Sequence, residues 1–355
     1  MLPARVTGFF CSTLVPNVIL GGGPPSYFNT RQIELSETRI VQSMGKRFKA
    51  ISSIVFMIAW PLGSLVELST AQDTKPQQAE PLTLQSSELN ESSGVAQVGE
   101  LLWTHNDSGD QPRLFAFATD GSLRGQFNVQ GARALDWEDI CAFSRDGKHY
   151  LAVGDVGDNL ARRTSVQIYV IEVPVKLPAR TEDPSNGAMA VENLSVLATF
   201  EVTYATGPVN CEALAYDPLS SSFVLATKEL FQCRLFRVAA PQLTGVQRVQ
   251  AELIGGLRLP LVTAADISPD GQQLVLLTYG PGCLLQRTVS QSRKGESKLE
   301  GWQTEGDQAA LIFNLPSRRQ GESICFSSDG KRLWLTSEFV PTPLFEVSVP
   351  VRNQP

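Results

Sequence analysis

The sequence has few of the features that mark common functional classes. Its 355 residues include 30 Lys and Arg against 36 Asp and Glu, for a net charge of −6, so it offers no basic surface for nucleic acid. It contains no GxSxG motif and no Ser-His-Asp spacing, which leaves no signature of a serine hydrolase. Long amphipathic helical patterns are also absent, while 28 glycines and 22 prolines indicate many turns. The composition therefore favours a mainly β fold.

Cysteine and histidine are scarce, which limits metal and redox chemistry. The sequence has only two histidines, His105 and His149. Five cysteines follow residue 71, an odd number without a CxxC pair, and each lies in a strand-like run. We expect small buried thiols, with one disulfide as the alternative, and neither a framework of disulfides nor a cysteine-based metal site.

The N-terminal region has the pattern of an export signal in an unusual place. A basic KRFK segment begins at Lys46, an apolar stretch covers 50–65, and the small residues at 69–71 suit cleavage. We therefore predict a signal peptide over 44–71 and location in the periplasm or outside the cell. An uncleaved N-terminal anchor is the alternative.

The predicted signal divides the rest of the chain. Residues 1–43 have no pattern and are interpreted as an unstructured extension upstream of the true start, Met44. Residues 72–88 have the composition of a polar linker, and 89–352 form the predicted folded domain. After cleavage of the signal we expect no membrane span.

Hairpins recur along the folded domain and indicate its architecture. Five segments share a polar anchor, a short strand, a turn and a second apolar strand, and a third strand follows each hairpin. Four of the turns are Asp-Gly or Asp-Pro, at Asp146, Asp217, Asp270 and Asp329, which is a strong hairpin pattern. The anchors are Ser93, Glu138, Glu212, Asp266 and Glu322.

Four-stranded units at this interval are typical of β-propeller blades. We therefore predict an all-β propeller of five blades. The last unit has three strands, so we expect residues 80–90 to supply the fourth strand and close the ring. The alternatives are six blades, with a degenerate blade between Glu138 and Glu212, or a pair of β-sandwiches.

Polar residues collect at one end of the predicted hairpins. The start of the first strand and the end of the second are neighbours in an antiparallel hairpin, so both lie on one face of the disc. We therefore predict an acidic mouth of the central channel on that face. Ionised carboxylates held close together need a cation, and Ca²⁺ accepts oxygen ligands in loose geometry. The predicted metal ligands are Asp136, Glu138, Asp155, Asp158, Asn159 and Glu212.

Other residues are predicted at the same mouth. They are Arg162, Asp266, Tyr279, Glu322 and Glu338. The alternative for the repeating acids is a structural role, in which a carboxylate accepts hydrogen bonds from backbone N–H groups of the adjacent blade. Glu212, Asp266 and Glu322 recur from blade to blade and fit that alternative.

The candidate catalytic residues are His105, Asp107 and Lys228. His105 lies beside Asp107 at the predicted mouth, where it would serve as a general base or a metal ligand. A hydrogen-bonded structural histidine is the alternative.

Several motifs together resemble a known family. They are LLWTHNDSGD, LDWEDI, GDVGDN, NCEALAYDP, TAADISPDG and GESI, and they extend over residues 88–349. The set resembles a family of secreted bacterial β-propeller proteins that is loosely similar to the SdiA-regulated and phytase-like (esterase-like) propellers. The phytase-like resemblance implies Ca²⁺ and phosphoester chemistry, with Asp136, Glu138, Asp155, Asp158 and Glu212 on the metal side.

The sequence thus favours an exported binding or scaffolding propeller whose acidic mouth holds Ca²⁺ and binds a small polar ligand or a protein. We expect a monomer with no nucleic-acid partner. The alternative is a metal-assisted phosphoesterase or esterase that uses metal-bound water as its nucleophile. Few cations converge on the predicted mouth, and no nucleophile–base pair is evident there.

Overall fold

The computed structural model describes residues 80–177, 191–291, 297–302 and 310–351. The chain divides into two units, Met1–Glu67 and Leu68–Pro355, and every described residue belongs to the second unit. The predicted extension over 1–43 and the predicted signal over 44–71 lie outside the described residues.

The described residues form strands and no helix. No helix capable of crossing a membrane is therefore found in this part of the chain. In chain order the strands are β1 (Leu82–Thr83), β2 (Ser92–Val98), β3 (Leu101–Asn106), β4 (Arg113–Ala118), β5 (Leu123–Gln130), β6 (Trp137–Arg145), β7 (Lys148–Asp155), β8 (Val166–Glu172), β9 (Val191–Tyr204), β10 (Cys211–Asp217), β11 (Ser222–Thr227), β12 (Cys233–Ala239), β13 (Gly245–Leu257), β14 (Val262–Ile267), β15 (Gln273–Thr278), β16 (Gly282–Gln291), β17 (Ser297–Trp302), β18 (Ala310–Phe313), β19 (Gly321–Phe326), β20 (Arg332–Ser337) and β21 (Pro343–Ser348).

Antiparallel pairing groups these strands into successive sheets. Strands β2 to β5 form sheet 1, β6 to β9 form sheet 2, and β10 to β13 form sheet 3. Sheet 4 consists of β14, β15 and β16, with β17 and β18 both paired to β16. Sheet 5 consists of β19, β20, β21 and β1. The strands β2, β6, β10, β14 and β19 each pair with one strand only, so each lies at an edge of its sheet.

The sheets are arranged in a closed ring. The first strands pack side by side, β2 on β6, β6 on β10, β10 on β14, β14 on β19, and β19 on β2. Strand β1, from the N-terminal side of the domain, pairs antiparallel with β21 through Leu82 and Leu344, and so supplies the outer strand of the last sheet. This arrangement confirms the predicted β-propeller. The strand β1 lies within the segment 72–88 that we assigned to the linker.

Apolar side chains fill the space between each pair of neighbouring sheets. A cluster around Trp103 and Trp137 joins sheets 1 and 2, and one around Phe143 and Phe223 joins sheets 2 and 3. Three similar clusters join sheets 3 and 4, sheets 4 and 5, and sheets 5 and 1. All five described cysteines are buried and free, as the sequence predicted.

The outer edges of three sheets are joined, a feature that the sequence did not predict. The long strand β9 pairs in parallel with β5, starting at Gln126 and Val191, and with β13, starting at Gly245 and Ala198. Sheets 1, 2 and 3 therefore form one continuous twelve-stranded sheet. The pairing covers strand edges that would otherwise be open to other chains.

Candidate functional site

A β-bulge occurs at the start of the first strand of every sheet. The register shifts between the first and third residues of β2, β6, β10, β14 and β19. The extra residue of a bulge leaves the regular alternation of the strand and is aimed separately from its neighbours. These five equivalent residues are Ser93, Glu138, Glu212, Thr263 and Glu322.

The position of the bulge in sheet 4 shows that the predicted anchor, Asp266, was wrong. The residue equivalent to Glu138 and Glu212 is Thr263, three positions before the predicted Asp266. Asp266 lies near the other end of β14, where its carboxylate accepts hydrogen bonds from the backbone N–H groups of Phe326 in sheet 5 (2.8 Å) and of Ile267 (2.8 Å). Asp266 is therefore not a mouth residue, and its contacts match the structural alternative.

Asp139 has the same structural role to a greater degree. Its fully buried carboxylate accepts N–H groups from Leu214 of sheet 3 (2.8 Å) and Ala265 of sheet 4 (3.0 Å). One side chain from sheet 2 thus holds two other sheets in place. Burial raises the pKa of Asp139 well above its ordinary value, against the effect of these hydrogen bonds.

A second set of mouth residues comes from the ends of the second strands. Asp107, Lys228, Tyr279 and Glu338 directly follow β3, β11, β15 and β20. Electrostatic interactions connect these residues with the bulge residues: Glu138 feels the charges of Glu212 and Asp107, and Lys228 feels those of Glu212 and Glu322. The predicted convergence of acidic side chains from separate sheets is therefore present.

Three carboxylates lie closest together, in the half of the mouth built by sheets 1 and 2. Asp107, Asp136 and Glu138, which we call the acidic triad, each place an oxygen within 4.8 Å of the other two. Glycine at position 157 makes room for them, since a Cβ there would overlap Glu138 Oε1 and Asp136 Oδ2. Three hard oxygen donors at this spacing are suited to a divalent cation such as Ca²⁺.

Two members of the triad have no hydrogen-bond partner among the described residues, although the charge of Arg163 acts on Asp136 and that of Lys228 on Glu138. Among the described residues no hydrogen-bond donor contacts the carboxylate of Asp136 or Glu138, although Glu138 is only 5% exposed. Burial, followed by the charges of Asp107 and Glu212, raises the pKa of Asp136 to about 7. Burial, followed by the charges of Glu212 and Asp107, raises the pKa of Glu138 well above its ordinary value. Both carboxylates therefore require a proton or a cation.

The half of the mouth built by sheets 3, 4 and 5 has internal partners, and we call it the lysine half. The Nζ of Lys228 lies 2.6 Å from Glu212 Oε2 and 4.9 Å from the centre of the Tyr279 ring. The Gln320 amide donates to Glu322 and to Glu338, both at 2.9 Å. Burial opposes the charge of Lys228, but Glu212 and Glu322 outweigh it and hold the pKa of Lys228 well above its ordinary value.

The GDVGDN loop holds the backbone beside the triad and contributes no carboxylate to it. Asp155 accepts the backbone N–H of Asp136 (3.2 Å) and pairs with Arg163 (2.8 Å). Asp158 accepts the backbone N–H of Arg163 at 2.6 Å, and Asn159 accepts the amide of Asn210 at 3.3 Å. The three predicted ligands Asp155, Asp158 and Asn159 therefore hold the loop beside Asp136 and lie outside the triad.

The cation of this loop is Arg163, the neighbour of the predicted Arg162. Arg163 donates to the carbonyl of Gly157 at 2.8 Å and so holds the backbone that admits the two carboxylates. Arg162 is exposed. The predicted position was therefore displaced by one residue.

His105 lies outside the mouth. Its ring is fully buried between sheets 1 and 2, where it meets the Trp137 ring edge-on with 5.4 Å between ring centres. Its Nδ1 donates to the backbone carbonyl of Asn106 at 2.9 Å. Burial lowers the pKa of His105, so the ring is neutral at physiological pH. This placement matches the structural alternative.

Sequence reasoning missed several residues of the mouth. Asn210 and Gln320 orient the carboxylates of Glu212 and Glu322 from the position two residues earlier in the chain. This i, i+2 spacing is a pattern that the sequence could have offered. Gly157 lies in the GDVGDN motif, but the reason for a glycine there emerges only from the contacts between sheets.

No protein-family model and no curated protein matches the sequence. Solved structures that it resembles include the Dos1 propeller, at 10% identity over 72% of this chain and 67% of that chain, with a TM-score of 0.33. Another is the hydrazine synthase of Kuenenia stuttgartiensis, at 9% identity over 74% of this chain and 84% of that chain, with a TM-score of 0.37. Likenesses this distant carry no argument about function, and the propeller assignment rests on the strand pairing.

Proposed function

We propose that this propeller is an exported binding protein whose mouth holds a divalent cation at the acidic triad, with Ca²⁺ as the expected ion. The supporting observation is the spacing of Asp107, Asp136 and Glu138, whose oxygens lie within 4.8 Å of one another. Asp136 and Glu138 meet no hydrogen-bond donor among the described residues, so an ion would satisfy them.

The chemistry of the donors favours Ca²⁺ over softer metals. All three ligands are carboxylates, and Ca²⁺ prefers oxygen ligands, of which it takes about six to eight in flexible geometry. Three side chains leave several positions for water or for oxygens of a small polar ligand. The triad therefore suits a protein that binds such a ligand through the ion.

Export rests on the predicted signal over 44–71 and on the resemblance to secreted propellers. Extracellular modules bind Ca²⁺ with Kd values of roughly 10⁻⁴ to 10⁻³ M, weaker than the sensor and buffer proteins of the cytosol. A calcium site of moderate affinity therefore fits an exported protein. Location and ion are thus linked in this proposal.

The hydrolase alternative has less support. The buried His105 is not placed to act as a base at the mouth. A nucleophile–base pair does occur between Ser144 Oγ and His149 Nδ1 at 2.9 Å, but it spans the β6–β7 turn at the end of the hairpin away from the mouth. A binding role is therefore the better reading.

The test is the melting temperature of the full chain with and without millimolar Ca²⁺. With a Kd of roughly 10⁻⁴ to 10⁻³ M, binding of about 1 mM Ca²⁺ to the folded form stabilises it by about 0.4–1.4 kcal/mol. We expect Ca²⁺ to raise the melting temperature of the wild type, and Glu138→Gln to lose this response. The matched control is Glu346→Gln on β21, whose exposed carboxylate lies outside the mouth, and it should respond as the wild type does.

Two results would contradict the proposal. One is the absence of any shift in the wild type with Ca²⁺, Mg²⁺ or Mn²⁺. The other is an equal Ca²⁺ response in Glu138→Gln, which would place the ion elsewhere.

A further inference from the structure

Exposed apolar side chains lie in the loops of sheets 2, 3 and 5 beside the mouth. They belong to loops that also supply the mouth residues: Leu135 precedes Asp136, and Phe339 follows Glu338. We call this set the apolar rim. Its members are Leu135, Leu160, Leu230, Phe231, Phe339 and Val340.

Two neighbouring residues of the rim are highly exposed. Phe231 is 84% exposed and Leu230 is 64% exposed, side by side in the β11–β12 loop. Both exposed phenylalanines of the described residues, Phe231 and Phe339, belong to the rim. Clustered apolar residues around a polar centre are typical of interaction sites.

Phe339 is held in its exposed position by the fold. Its φ of 82° is a left-handed conformation that bulky side chains rarely adopt. Its N–H donates to the carbonyl of Asn90 at 3.1 Å, and the Arg319 guanidinium lies 5.3 Å from the centre of its ring. The aromatic ring is thus presented by an ordered backbone.

The charge inside the rim indicates which partner it suits. Six carboxylates share the mouth with the Lys228 ammonium, so the mouth is negative when these carboxylates are ionised. Asp136 is the one of the six that is partly exposed, and it lies next to Leu135 of the rim. The six are Asp107, Asp136, Glu138, Glu212, Glu322 and Glu338.

We propose that the apolar rim and the mouth form a docking surface for a polypeptide segment that presents a Lys or Arg side chain between apolar residues. The basic side chain pairs with the mouth at Asp136, and its apolar neighbours pack on Phe231, Leu230 and Phe339. This inference rests on the proposed function in that it assigns the same mouth to binding. Aromatic side chains beside an acidic pocket supply the two parts of such an interface, apolar area and charge complementarity.

The experiment measures fluorescence anisotropy of labelled peptides with the full chain in EDTA at pH 9, so that the Asp136 carboxylate is ionised. The first peptide has the sequence Ser-Leu-Phe-Lys-Phe-Leu-Ser. The second replaces the central Lys by Glu, and the third replaces Leu and Phe by Ser. We expect the first peptide to bind at least tenfold more tightly than the other two. Equal binding of all three peptides, or no binding of the first, would overturn the inference.

A pair of double variants locates the surface. Leu230→Ser with Phe231→Ser should weaken binding of the first peptide at least tenfold. The control, Val246→Ser with Leu253→Ser, removes two exposed apolar side chains (64% and 51% exposed) from the outer strand β13 and should bind as the wild type does. An equal effect of both double variants would overturn the placement. All four side chains are exposed, so the melting temperature should stay unchanged and shows that each variant folds.

Two further readouts separate the explanations. Sedimentation of the unliganded wild type should give a monomer, and a dimer dissociated by Leu230→Ser with Phe231→Ser would assign the rim to a second copy and overturn the inference. The Ca²⁺ response of the rim variant should equal that of the wild type. If the wild type binds the first peptide but shows no Ca²⁺ response, the metal proposal alone is wrong. If it shows the Ca²⁺ response but does not bind the peptide, this inference alone is wrong.

Discussion

The two halves of the mouth solve the same electrostatic problem in different ways. In the lysine half, Glu212 lies 2.6 Å from the Lys228 ammonium, and Glu322 and Glu338 share the amide of Gln320. In the acidic triad, the carboxylates of Asp136 and Glu138 meet no donor among the described residues. Both halves are built on equivalent bulges, so the architecture does not explain the difference.

The comparison identifies the carboxylates that the protein leaves without a hydrogen-bond donor. Buried carboxylates without partners are costly, and a structural role would have been served by a lysine or an amide, as on the other side. A cation site needs carboxylate oxygens that are not already paired with a lysine or an amide. The difference between the halves is therefore the strongest reason to place function at the triad.

The largest effect on stability should come from removing the lysine of the lysine half. Lys228→Met removes the buried ammonium and leaves the carboxylate of Glu212 without its counter-charge. We expect the free energy of unfolding to fall by about 3–5 kcal/mol, the usual cost of leaving one partner of a buried pair. Urea denaturation measures it. The double variant Lys228→Met with Glu212→Gln should regain part of the loss, and a single variant as stable as the wild type would contradict the assignment.

The free energy of unfolding should depend on pH through carboxylates of both halves of the mouth. The pKa of Asp136 is raised to about 7 and that of Glu322 to about 8, so the folded state holds protons that the unfolded state has released. By linkage, stability falls as the pH rises from about 4 through these folded-state values, and levels off above them.

The measurement is urea denaturation between pH 5 and pH 9 in EDTA, where the raised pKa of Asp136 alone corresponds to a loss of about 2–3 kcal/mol and Glu322 adds to it. Asp136→Asn should flatten the profile near pH 7, and the control Glu346→Gln should leave it unchanged. A profile that rises over this range, or one that Asp136→Asn does not alter, would count against the raised pKa of Asp136.

A smaller effect of opposite sign should come from the triad. In EDTA, Glu138→Gln replaces a buried carboxylate that has no partner by a neutral amide of the same shape. We expect it to raise the free energy of unfolding at pH 8 by on the order of 1 kcal/mol. Lys228→Met and Glu138→Gln thus move stability in opposite directions, and a destabilising Glu138→Gln would remove the contrast between the halves.

Much of the fold could be predicted because its hairpins are local. Asp146 and Gly147 both have positive φ, 53° and 75°, as a two-residue turn between Arg145 and Lys148 requires. Such turns set the register of the first two strands and hence the face on which their ends meet. The parallel pairing of β9 with β5 and β13 was not predictable in this way, since it joins strands from different sheets.

The candidate site was predictable in place and less so in detail. Glu138, Glu212 and Glu322 follow from the hairpin geometry, but Asp266 was mistaken for their equivalent because a polar residue alone does not reveal a bulge. The partner of each carboxylate depends on packing between sheets. Neither the salt bridge of Lys228 with Glu212 nor the hydrogen bond of His105 to Asn106 follows from residue type and spacing.

The most direct test is calorimetric titration of the full chain with CaCl₂ at pH 7, in two buffers that differ in ionisation enthalpy. Because the raised pKa values of Asp136 and Glu138 leave protons at the triad, we predict one bound ion per chain and a measurable release of protons. Glu138→Gln should abolish the binding heat, whereas Glu346→Gln should not. Absence of Ca²⁺ binding by the wild type, or binding without any proton release, would contradict the claim that the acidic triad is an open cation site.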